Sequence, residues 1–86
     1  MSMFLHVGGD TSVLTRDIIG IFDIDDAMTP KITRAFLKNA EKRGELHLAG
    51  DDLPKSFVLT SGADFSQNVI LCKSSARSLA KKCESV

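Results

Sequence analysis

The stretch TPKITRAFLKNAEKRG, Thr29–Gly44, constrains the fold more than any other part of the chain. Thr29 suits an N-cap, and Pro30 suits the first helical position, where its missing N–H is no loss. Lys42 and Arg43 complement the negative end of the helix dipole, and Gly44 supplies the stop. Ile32, Phe36 and Ala40 recur every fourth residue, so the spacing predicts a buried stripe with Leu37 at its margin. Lys31, Arg34, Lys38 and Lys42 then share the opposite side, diluted only by Glu41.

Everything around this helix reads as strand or turn. Met3–Val7 and Thr11–Thr15 flank a Gly8–Gly9 pair, which predicts a tight hairpin. A phosphate-cradling loop would need a helix after the glycines, and a strand follows instead. Arg16–Asp26 starts at a charged corner and becomes a third strand, with Gly20 marking a bulge or close approach. Glu45–Gly50 reads as a short strand. In DDLPKSFVLT, Asp51 and Asp52 suit a turn and Pro54 cannot donate to a ladder, so pairing is expected from Ser56. SGADFSQN reads as a loop, Val69–Lys73 as the last strand, and Ser74–Cys83 as a short helix capped by Ser74 or Ser75. The expected fold is a small mixed α+β single domain over residues 1–86: hairpin, third strand, main helix, three further strands, C-terminal helix.

Eleven basic and eleven acidic residues cancel, which argues against broad attraction to DNA but leaves room for a local basic patch. Charge is segregated: Asp17, Asp23, Asp25 and Asp26 make the third-strand region acidic, while both helices are basic. Opposite patches on a neutral chain invite head-to-tail contact between copies. A chain of 86 residues has a modest core, and self-association is a natural way to bury more. The basic helix row reads either as a solvated face or as a surface that tracks phosphates. Cys72 and Cys83 lack metal-site spacing and read as reduced thiols, with a bridge between them as the alternative. The first ten residues lack a basic, then apolar leader pattern, so a cytoplasmic protein is expected. No run approaches the roughly 20 apolar residues of a membrane span.

No constellation points to catalysis. His6 and His47 lie in strands with no nucleophile or carboxylate at a recognisable spacing, and Cys72 sits in an apolar run. Asp23, Asp25 and Asp26 crowd one turn, but the calcium-loop pattern with its central Gly and closing Glu is missing. The expectation is a non-enzyme without metal or other cofactor, and without a small-molecule substrate.

The phrases FLHVGGD, DIIGIFD, TRAFL, DDLPKSFVLT and SSARSL, in that order and spacing, resemble the bacterial extracellular matrix regulator family, specifically its RemB-type branch. The similarity spans roughly Met3 to Lys82, with SGADFSQN longer than the usual connection. It implies a small mixed α/β protein. In the RemA-type branch it implies a ring-forming, DNA-binding activator of biofilm-matrix genes whose arginines carry the DNA contact. The matching positions here are Asp17, with Arg16 adjacent, and about Asp52 and Leu53, with Lys55 nearby. Carboxylates repel phosphates, and a lysine does not replace bidentate guanidinium contacts.

Two readings follow. In the first, the chain is a cytoplasmic regulator of biofilm-matrix genes that binds double-stranded DNA as a homo-oligomer, through Arg16, Lys55, Lys31, Arg34 and Lys38. In the second, it is an interaction module that assembles copies or recruits a protein partner and has no DNA surface of its own.

Overall fold

A computed structural model describes residues 3–24, 30–50, 53–62, 64 and 66–84. The expected N-cap Thr29 and the carboxylates Asp25, Asp26, Asp51 and Asp52 lie outside the described residues. The elements are β1 (Phe4–Gly8), β2 (Thr11–Leu14), a 3-10 turn (Thr15–Asp17), β3 (Ile18–Asp23), α1 (Pro30–Lys42), β4 (Leu46–Leu48), β5 (Ser56–Ser61), β6 (Gln67–Cys72) and α2 (Ala76–Glu84). The α+β architecture is the one expected, with element boundaries that shift by a few residues.

β1 and β2 form an antiparallel hairpin. Gly9, at φ +52°, lets the chain reverse at Gly9–Asp10. Gly8 is required for a second reason: a Cβ there would collide with the Ala49 carbonyl oxygen. Docking of the hairpin against the end of β4 thus depends on a bare backbone.

The main sheet has four strands in the order β3-β5-β6-β4. β5 runs antiparallel to both β3 and β6, whereas β4 runs parallel to β6. The loop between β5 and β6 is shorter than SGADFSQN suggests, because Ser61 pairs with Gln67. The Gly62 N–H donates to the Ser66 carbonyl at 2.9 Å, and Asp64 accepts from the Ser66 hydroxyl at 2.6 Å. These local bonds tighten the turn and lower the Asp64 carboxyl below its ordinary range.

Alternation along the strands sends residues to two separate cores. Val58, Ile70 and Cys72 join Leu5 and Val7 of the hairpin and Leu79 of α2. Phe57 and Val69 join Ala40 of α1, with Leu37, Leu46, Leu59 and Leu71 around them. The hairpin and α2 therefore cover one face of the sheet, and α1 covers the other.

α2 begins one residue after Ser75, whose hydroxyl accepts the Ser78 N–H at 3.1 Å, so Ser75 caps the helix. A second cap comes from far away in sequence: the Asp23 carboxylate accepts the Ala76 N–H at 2.8 Å. Cys72 is fully buried and Cys83 half-buried, both as free thiols. Desolvation pushes the Cys72 thiol up to about 11, which is consistent with an inert core residue.

Candidate nucleic-acid and assembly surfaces

α1 is where the sequence expectation needs correction. Its buried line is Thr33 and Ala40, with Leu37 half-buried, and not Ile32, Phe36 and Ala40. Ile32 is 63% exposed and Phe36 37% exposed. The helix is rolled so that Thr33 meets the sheet and the two larger apolar side chains sit on its flank. The physical reason is an aromatic cluster on the sheet that Phe36 joins from the flank of the helix, built on Phe57 of β5 and shared with Phe22 of β3. The Phe22 ring stacks on Phe57 with centroids 5.2 Å apart, and Phe36 packs on that same Phe57 ring at 5.9 Å.

Phe22 can lie there because Gly20 has no side chain. A Cβ on Gly20 would come within 2.6 Å of the Phe22 ring. The glycine that marked a bulge in the sequence is thus the floor under an aromatic ring, and the register shift falls between Ile18 and Gly20 beside it. Phe22 remains 42% exposed. Phe22, Ile32 and Phe36 form a partly exposed apolar shelf beside α1, and of these Ile32 and Phe36 were expected in the buried stripe. One signal was available: Ile32, Phe36, Leu37 and Ala40 together span an arc of roughly 140° on the helix, and one edge of so wide an arc can be left open.

The basic row stands as expected. Lys31, Arg34, Lys38 and Lys42 are all exposed, and none of them is in an ion pair among the described residues. From Lys31 to Lys42 the row runs roughly 16 Å along the helix axis. At about 100° per residue, it lies on the side of the buried line away from Ile32 and Phe36. Arg43 falls outside the row and pairs with Glu45 at 3.7 Å.

The other two cations are not brought together. Arg16 sits in the turn before β3, exposed, with its Nε 3.9 Å from Asp17 Oδ1. Lys55 sits where β3 ends: its carbonyl accepts the Ile24 N–H at 2.9 Å. The six residues of β3 separate them by roughly 20 Å. Arg16 and Lys55 therefore mark opposite ends of one ladder and form no single site within the subunit.

Of the acidic patch expected around the third strand, Asp17 and Asp23 are among the described residues, and both have partners. Asp23 is committed to the end of α2, and Asp17 is beside Arg16. Both histidines make structural contacts: His6 Nε2 lies 2.8 Å from the Gly9 carbonyl oxygen and His47 Nε2 2.9 Å from Asn68 Oδ1. Among the described residues no three His, Cys, Asp or Glu side chains come together as a metal site would require. No helix among them is long and apolar enough to cross a membrane.

Over 82 residues the chain is 37% identical to extracellular matrix regulatory protein B of Bacillus subtilis (strain 168), covering 95% of this chain and 91% of that protein. No family model matches the chain.

Proposed function

The chain belongs to the extracellular matrix regulatory protein B family, and we propose that it regulates matrix genes as a cytoplasmic, non-enzymatic homo-oligomer that contacts double-stranded DNA. The observation that carries this reading is the outward row Lys31, Arg34, Lys38 and Lys42 on α1, exposed and outside any described ion pair. A single row gives weak, sequence-independent attraction to phosphates. Repeating it once per subunit raises the effective concentration of each further contact, so a neutral chain gains affinity by assembly. Arg16 and Lys55, at opposite ends of the β3–β5 ladder, add contacts at the margins of such a surface.

The exposed shelf of Phe22, Ile32 and Phe36 supports the assembly half of the reading, because contiguous apolar surface of this kind marks protein contacts. It also supports the second reading, a protein-interaction module without a DNA surface. The double variant Lys31→Glu with Arg34→Glu separates the two. Loss of DNA binding at unchanged oligomer mass is the expected result. A wild-type protein that assembles but never retards DNA supports the module instead.

A further inference from the structure

We propose that copies of this chain join head to tail through the two open edges of the four-stranded sheet, with β4 of one copy laid against β3 of the next. This rests on the assembly reading above and names its contact. β3 and β4 are the outer strands, and among the described residues β3 pairs only with β5 and β4 only with β6. Open edges of this kind are templates for another strand unless they are covered or charged.

The backbone of β4 shows which groups are on offer. The Val69 N–H donates to the Glu45 carbonyl at 2.8 Å, and the Ala49 N–H donates to the Leu71 carbonyl at 2.9 Å. Glu45, His47 and Ala49 therefore turn their backbone groups inward to β6, and alternation turns those of Leu46 and Leu48 to the outer edge. Leu48 is also 65% exposed, and its register partner Leu71 belongs to the α1-side core.

The opposite edge matches in three ways. First, direction: β3 is antiparallel to β5, β5 to β6, and β4 is parallel to β6, so β3 and β4 run the same way. A neighbouring copy continues the sheet with a parallel pair and needs no inversion. Second, face: Phe22 pairs with Phe57, which places it on the same α1 side as Leu48. Leu48 of the incoming strand then enters the layer that holds Phe22, Ile32 and Phe36. Third, length: β3 is regular from Gly20 to Asp23, beyond its register shift, and β4 has three residues.

Chemistry favours a second copy over a foreign strand because each subunit carries both halves of this match. The shelf leaves three large apolar side chains partly or mostly exposed side by side on one flank of α1, the kind of apolar patch that marks protein contacts. Because the two edges are different surfaces, the contact is heterologous, and repetition gives a ring or a filament. At about 100° per residue, Lys31, Lys38 and Lys42 lie nearly opposite the buried line of α1 and not over either sheet edge, so the two joints leave them facing outward.

The test is a pair of one-edged variants read by light-scattering mass, with circular dichroism to confirm folding. Leu48→Lys blocks the β4 edge. Phe22→Lys blocks the β3 edge, and Ile32→Lys on the shelf that receives Leu48 serves as its independent counterpart. Each variant alone runs as a monomer, and a 1:1 mixture of a β4-edge and a β3-edge variant gives a species of twice the subunit mass and nothing larger. Variants that keep the wild-type mass, a mixture that stays monomeric, or one variant that dimerises alone overturns this contact while leaving assembly intact. A wild-type protein that is monomeric at micromolar concentration overturns the assembly reading and this proposal together.

Discussion

The two faces of the sheet are finished differently. On the hairpin and α2 face, Leu5, Val7, Val58, Ile70, Cys72 and Leu79 are all buried, and the Asp23 carboxylate ties α2 to the end of β3. On the α1 face the core residues are fewer, Ile32 and Leu48 are mostly exposed, and Phe22 and Phe36 are partly so. One sheet thus has a face completed by its own chain and a face that one helix only partly covers. In a small domain, where buried area is scarce, leaving large apolar groups outside is costly unless something else covers them. On the proposed assembly reading, the α1 face is the one that a second copy covers.

Substitutions on the two faces test this comparison. Leu79→Ala removes a fully buried side chain and is expected to cost about 2–5 kcal/mol, read as a lower denaturation midpoint. Ile32→Ala, on the open face, is expected to change the stability of the dissociated subunit by no more than about 0.5–1 kcal/mol while weakening assembly. If Ile32→Ala destabilised the isolated subunit as much as Leu79→Ala, the two faces would not differ in the way described.

The smallest effect concerns Cys72, inside the sealed face. Its thiol is held up to about 11 by burial, against 9.0 in an unfolded chain. Below pH 9.0 both states keep the proton and this group contributes no pH dependence. From 9.0 to about 11 the unfolded chain releases it first, so folding stability falls as pH rises. The contribution appears as the difference between wild-type and Cys72→Ala unfolding curves across that range. A difference that stays flat there would show that the sealed face admits water to the thiol.

Local chemistry made much of this legible. Gly9 marked the hairpin, Gly44 ended α1 at φ +73°, and Ser75 started α2, because each acts within a few residues of itself. Whatever depends on distant partners was not legible. The periodicity of α1 located an apolar arc, but the roll that buries Thr33 and exposes Ile32 is set by Phe22 and Phe57 in other elements. Asp23 read as part of an acidic turn, because its partner, the Ala76 N–H, lies 53 residues away. Arg16 and Lys55 both looked like members of one binding set, and only the antiparallel register of β3 on β5 places them at opposite ends. The exposed row on α1 was visible because it is a property of one helix.

The central claim is that an assembled array of α1 rows binds DNA through its phosphates. It is tested most directly by titrating salt against DNA affinity with protein of known oligomeric mass. Each phosphate neutralised contributes a slope of about −0.9 in log affinity against log salt, so an array of several subunits predicts a steep decline. An assembled protein whose affinity barely changes from low to physiological salt would contradict the account.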